Sequence, residues 1–398
     1  MKKNYIIIAL ISVITISKAQ WTPVNSGLSN LNIGALATAG TNIYAGTNGA
    51  GVFLSTNYGA SWATVNSGIT SLNILSLGVN DTNIFAGTSV GTEFLTTDSG
   101  NNWSDVSLGI TTNNVFSFAT NGANIFAGTV GSGIFLSSNN GGSWTAVNTG
   151  LTNLTFHAMA ANGSNIFAGS YGAGSRGVFL STNNGSNWSS VNTGLTDSSI
   201  RVLTTNGTNI FAATQNNGVF LSSNNGSSWS AVNTGLTATN VWAFASSGTY
   251  IFAGTNGGGV FLTNNNGSSW TVDNTGLTNQ NIYSLTISGT NIFAGTWGGG
   301  VFKRPLSDFG ITTKINEIHE STFYIVPNPI NNQATIFFNT VQKNTTIKIT
   351  DVIGKEIKTL TFTGKEFTIE KGNMKEGVYF VQLIDENKNV VNRKIVVQ

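Results

Sequence analysis

"SNNGGSW", residues 138–144, is a run of small polar residues and glycines that stops at a tryptophan. Near-copies stand at 56–62 (TNYGASW), 97–103 (TDSGNNW), 182–188 (TNNGSNW), 223–229 (SNNGSSW) and 264–270 (NNNGSSW). Trp21, Trp62, Trp103, Trp144, Trp188, Trp229 and Trp270 follow one another at spacings of 41, 41, 41, 44, 41 and 41 residues. The longer step holds three extra residues within "YGAGSRG" (171–177). A period near 41 matches one four-stranded propeller blade.

Each unit contains four strand-like runs divided by Gly, Asn and Ser turns, in the first unit NIGALAT (32–38), NIYAG (42–46), GVFLS (51–55) and WATVN (62–66). None is long enough for a helix or shows a 3.6-residue period. The inner runs are apolar on both sides, as expected of sheets sandwiched between neighbours. The ends of the array decide between an open stack and a ring. The last repeat supplies NIYSLTI (281–287), NIFAG (291–295) and GVFKRPL (300–306) but no tryptophan strand, whereas the chain opens on an orphan WTPVN (21–25). The two fragments complete each other, which predicts an all-β, seven-bladed propeller closed by its N-terminal strand. Closure removes the open edges that a linear array would expose.

Only 9% of residues are charged, against roughly 25% in ordinary soluble domains. Between Trp21 and Phe302 stand two arginines, Arg176 and Arg201, and six acids, a balance of −4 (2 minus 6) hidden beneath the overall +2. Such a body lacks the cationic footprint that nucleic acid requires. There is no cysteine, hence no disulfide framework. Residues 1–19 combine Lys2 and Lys3, the apolar YIIIALISVITIS and the small-residue SKA, and read as a secretory signal cut after Ala19. No stretch reaches the ~18 apolar residues of a membrane span.

The repeated turn resembles the Asp-box, or BNR, motif (Ser/Thr-x-Asp-x-Gly-x-x-Trp) of sialidases, sortilin-like receptors and propellers related to the photosystem II assembly factor. The matching residues are Asn57, Gly59 and Trp62; Asp98, Gly100 and Trp103; Asn139, Gly141 and Trp144; Asn183, Gly185 and Trp188; Asn224, Gly226 and Trp229; and Asn265, Gly267 and Trp270. Asparagine replaces aspartate in all but one. It offers the same acceptor to backbone amides two residues on, the glycine can turn left-handed, and the tryptophan fills the space between sheets. These nearly neutral turns lack the acidic oxygens of a calcium loop, so the expected role is structural, with no metal or cofactor. The resemblance also implies that the motif lies away from the binding face.

After the propeller (20–306), residues 307–321 have the composition of a linker, and 322–398 alternate apolar and polar in short strands, an Ig-like β-sandwich pattern. This last segment resembles the C-terminal sorting domain of type IX secretion cargo in Bacteroidota. Pro327, Asn328 and Pro329 open it, Gly354 lies in ITDVIGKEI, Gly377 and Tyr379 in EGVYFVQL, and Lys394 in RKIVVQ. The resemblance implies the type IX machinery and its sortase as partners, passage across the outer membrane, and release or attachment at the cell surface.

Aligning the inner strands exposes one variable position, occupied by Gly34, Leu75, Phe116, His157, Arg201, Trp242 and Tyr283. The loops joining second and third strands add Asn48, Val90, Val130, Tyr171, Arg176, Gln215, Asn256 and Trp297. One sector thus gathers His157, Tyr171, Arg176, Arg201, Trp242, Tyr283 and Trp297, a candidate ligand site, unless these side chains merely fill the channel. Sialidase-like hydrolysis needs an arginine cluster and paired acids, and Asp197 is the one acid on that face. His157 has no Ser/Asp partner, and no glycine turn leads into a nucleotide-binding helix. The expectation is a monomeric, non-enzymatic propeller that binds a glycan, peptide or surface protein. A sialidase-like hydrolase and a purely structural surface element are the alternatives.

Overall fold

The computed structural model describes residues 20–110, 114–311, 323–352, 354–384 and 390–398. The expected signal segment and residues 312–321 of the linker lie outside them. Two units are separated, one ending at Thr313 and one beginning at Lys314.

Seven four-stranded antiparallel sheets form the first unit. Blade 1 runs Ile33–Ala39, Asn42–Thr47, Gly51–Ser55 and Ala63–Thr64 from the centre outward. The second strand of each blade reads Asn/Tyr-Ile-Phe/Tyr-Ala-Gly/Ala-Thr/Ser and is buried at every position but its first. It is apolar on both faces because each face packs on a neighbouring blade, which places Ile84, Phe85 and Ala86 wholly out of water. Blade 7 combines Ile282–Ser288, Asn291–Thr296 and Gly300–Pro305 with Thr22–Pro23, Thr22 lying opposite Lys303 and Pro23 opposite Phe302. The N-terminal strand closes the ring.

The repeated turn is held by its own side chains. The Ser55 hydroxyl donates to Asn57 Oδ1 (2.9 Å) and accepts from the Gly59 amide (2.8 Å). Asn57 Oδ1 also accepts from the amide of Ser61, four residues on rather than the two expected, because Tyr58 and Gly59 are both left-handed and curl the chain back further. The other five copies make the same four-residue bond, at 2.9–3.0 Å. Each tryptophan then donates its indole N–H to a carbonyl of the preceding blade, Trp103 to Val65 and Trp144 to Val106 among them. Trp62 reaches Val24, and Trp21 reaches Asp273, so the series runs around the closing seam as well.

Blade 7 has no such turn. Where its siblings carry the turn's first Ser or Thr it has Arg304, buried, bridging Asp273 (2.8 Å) and Asp308 (3.3 Å) and lying 4.4 Å from the Phe309 ring centre. A 3-10 turn, Leu306–Phe309, follows, and Leu306 and Ile311 are buried in the same core as Trp21. Residues 307–311, polar enough to read as linker, therefore pack on the ring: the apolar side chains at 306, 309 and 311 anchor them.

The second unit wraps one long strand, Gln333–Asp351, around a single core. Its first half lies between Phe323–Val326 and the end of Glu356–Glu370, its second half between the start of Glu356–Glu370 and Gly377–Ile384. Ladder irregularities between Phe337 and Thr345 divide the long strand into two halves with different neighbours, all five strands belonging to one sheet that closes on its own core. Asn328 ties the Pro-Asn-Pro turn to the last strand, its Oδ1 accepting from the Val396 amide and its Nδ2 donating to the Lys394 carbonyl.

Candidate functional site

In all seven inner strands the ladder skips one residue. Ile33 pairs with Thr47 and Ala35 with Gly46, leaving Gly34 unpaired. The same happens at Leu75, Phe116, His157, Arg201, Trp242 and Tyr283. The position that varies in sequence is a β-bulge in every blade. A bulge re-aims the extra side chain out of the ladder, here toward the channel, while its buried neighbours stay packed between blades. That is why it can change identity without disturbing the ring.

Six of the seven candidate residues join one continuous stack, with Phe116 added at its start. Phe116 lies 4.0 Å from His157, and His157 lies 4.2 Å from Tyr171, ring centre to ring centre. The Arg201 guanidinium is sandwiched 4.2 Å from the Tyr171 ring and 3.8 Å from Trp242. Trp242 meets Tyr283 at 4.1 Å, and Tyr283 meets Trp297 at 5.1 Å. The stack spans blades 3 to 7 and stops at Gly34 and Leu75, where small or aliphatic bulges leave a gap. Behind it lies a cavity of about 450 Å³ lined by Gly34, Asn48, Leu75, Phe116, His157, Arg201, Trp242, Tyr283 and Trp297, and deeper by Leu77, Phe118 and Met159.

Local contacts fix the members. Asn240 Oδ1 accepts from the Trp242 indole at 2.8 Å and sets the ring's rotation. Arg201 donates to the Tyr171 hydroxyl. Burial, and then the charge of Arg201, push His157 down to about 4, so it is a neutral imidazole near pH 7. No Asp or Glu lines the cavity among the described residues.

Arg176 does not join. It is exposed in the loop after Tyr171, its amide donating to Ser170 Oγ (2.7 Å) and its carbonyl accepting from Asn192, which turns this residue into part of the loop's own frame. Asp197 is likewise spent on loop structure, its two oxygens accepting from the amides of Ser199 and Asn216. The blade 2 residue equivalent to Tyr171 and Trp297 is Ser89 rather than Val90, since the Ser89 amide reaches Asn73 as the Tyr171 amide reaches Thr155. Phe116 occupies the variable position of blade 3 but is apolar, so it falls outside the polar-aromatic sector that the sequence marks from His157 onward. Only its ring contact with His157 reveals its place.

Residues 324–398 match the family model described as a secretion system C-terminal sorting domain. The tail is a sorting domain. A relative in Formosa agariphila, an endo-acting ulvan lyase, is 37% identical over 84 residues, 21% of this chain and 16% of that protein. Among solved structures, the extracellular domain of the two-component system BT3049 from B. thetaiotaomicron superposes with a TM-score of 0.61 at 17% identity, over 95% of this chain and 57% of that one. The GH74 enzyme of Niastella koreensis superposes with a TM-score of 0.50 at 17% identity, over 68% and 42% of the two chains. The chain thus spans less than two thirds of the length of each of these three proteins. The match to the sorting domain supports a secreted or cell-surface protein handled by the type IX machinery. No helix among the described residues is long and apolar enough to cross a membrane.

The expectation of a non-enzymatic protein is overturned by the lyase relative and the glycoside hydrolase neighbour, which point toward enzymatic function at low or partial identity. Scarcity of carboxylates argued against paired-acid hydrolysis alone, and a fold of this kind carries many chemistries.

Proposed function

We propose that the propeller holds an extracellular glycan at the channel mouth along blades 3 to 7, and that the sorting domain delivers it to the place where that glycan is met. The observation that carries this reading is the arc from Phe116 to Trp297, rings stacked on both sides of the Arg201 guanidinium, all of its members but Tyr171 lining one cavity. Sugar rings present apolar C–H faces to aromatics and hydroxyls to polar edges, and both are available here. Trp297 ends the arc with a half-exposed indole, 37% accessible. The gap at Gly34 and Leu75 gives an extended chain room to cross the mouth. Binding to a glycan array by the mature protein is expected to fall at least tenfold in the Trp242→Ala/Trp297→Ala double variant, with the unfolding midpoint within a few degrees of the parent. Binding that survives the double change removes this face from consideration.

A second reading, cleavage of the bound polysaccharide, is favoured by the neutral His157 and by Arg201, which line one cavity with the Tyr171 ring stacked between them, a set with a base and a cation, and by the lyase relative. New chain ends released from a bound polysaccharide, and lost in His157→Gln, would support it; release that persists in that variant removes His157 from the chemistry.

A further inference from the structure

The charge of the cavity says what kind of glycan fits. We infer that it is an acidic one, a uronic-acid-bearing chain whose carboxylate is taken by Arg201; this rests on the glycan reading above. Arg201 is the one charged residue lining the cavity among the described residues, and no carboxylate there pairs with it. Asp197, in the loop that leads into the Arg201 strand, has both oxygens engaged by backbone amides. His157 brings no second charge.

A half-buried cation without a counter-ion is costly unless a ligand supplies one. The flanking faces of Tyr171 and Trp242 offset part of that cost and lock the guanidinium plane. Of the guanidinium's five N–H donors, one on Nη2 is given to the Tyr171 hydroxyl and Nε–H is buried out of reach without a partner, so the donors left for a ligand are those of the Nη groups. A planar fork with spare donors and fixed orientation is complementary to a carboxylate, and little ordering remains to be done when one arrives. Every other blade places an uncharged group at the equivalent bulge, so the anion has one register along the bound chain.

The test pairs uronic-acid oligosaccharides with carboxyl-reduced twins of the same length and linkage, titrated into the mature full chain at low and high salt. Acidic members are expected to bind at least about tenfold tighter than their twins, as one charge-assisted hydrogen-bonded contact allows. The advantage should shrink with added salt. Arg201→Met should bring the acidic member down to its twin, and Arg201→Lys, which keeps the charge and stem but not the fork, should recover part of the difference. Equal binding of acidic and neutral twins, or a preference that survives Arg201→Met, overturns the inference and leaves the glycan reading standing. If neither half of the panel binds, the glycan reading itself fails and takes the inference with it.

Discussion

At the scale of single residues, Glu93 breaks the repeat at a fully buried position. Its siblings in the third strand are Val52, Ile134, Val178, Val219, Val260 and Val301. Two neighbours depart with it: the glycine before becomes Thr92, and the asparagine of the outer strand becomes Ser107. The exchanges are coupled, because a Cβ on Gly51 would lie 2.3 Å from Asn66 Oδ1, and the shorter Ser107 removes that obstacle in blade 2. Glu93 is fully buried and neither carboxyl oxygen has a hydrogen-bond partner. Burial foremost raises it from 4.5 to about 8, the nearby Ser107 hydroxyl offsetting part of this and the Asp105 charge adding to it. Between those values the folded chain keeps a proton that the unfolded chain releases, so stability falls as pH rises through the window and levels off above it, by on the order of 5 kcal/mol in all. His157, held down to about 4, acts in the opposite sense and only below its unfolded value near 6.5. Urea unfolding at pH 6.5, 7.5 and 8.5 should therefore show a decline in the parent and a flat, higher profile in Glu93→Val. A parent profile that is already flat would refute the assignment.

At the scale of elements, the ring depends on a seam that no covalent bond secures. Two residues of strand, Thr22–Pro23, complete blade 7 across nearly the whole length of the propeller sequence. Trp21 adds its indole bond to Asp273 and its backbone bond to Thr275. Arg304 makes the seam specific: burial alone would raise the Asp273 carboxyl, but the hydrogen bond and charge of Arg304 outweigh it and hold that group below its ordinary value. Removing the guanidinium leaves two carboxylates without their cation and a void beneath Phe309. Arg304→Ala should cost roughly 1–3 kcal/mol, less than for a fully buried pair because Asp273 and Asp308 stay partly exposed to water. Hydrogen exchange should locate the loss at Trp21–Asn25 and 300–311 before the rest of the ring. Uniform loss across all blades would mean that the seam is not the weak point.

At the scale of the whole molecule, the chain is a propeller followed by a sorting domain that directs it outward. The tail carries its own core, from Phe323 and Ile336 to Ile395 and Val397, and its Pro-Asn-Pro turn is pinned to its last strand. Deleting 322–398 should leave a folded propeller in the periplasm, read by fractionation and protease protection of intact cells. Normal arrival outside the cell would show that the tail is not what exports it. Asn328→Ala is the finer probe: it should unfasten the turn and reduce export without touching the propeller.

The 41-residue tryptophan spacing determined the blade, and the complementary broken ends, WTPVN against a last repeat that lacks its fourth strand, determined seven blades and a closed ring. Both are periodic, local properties written into every copy, and so they are legible without a structure. The single inner position that differs between copies was legible for the same reason. What the sequence did not carry was why that position is free, since a bulge is a mismatch between two strands and belongs to neither. Nor did it show that Phe116, His157, Tyr171, Arg201, Trp242, Tyr283 and Trp297 stack into one arc while Arg176, close to Tyr171 in the chain, turns away. Stacking distances arise only when strands from different blades are brought around a common axis. The depth of Glu93 was hidden likewise, because a charged residue in an outer strand is ordinarily solvated, and only the neighbouring blade removes the water.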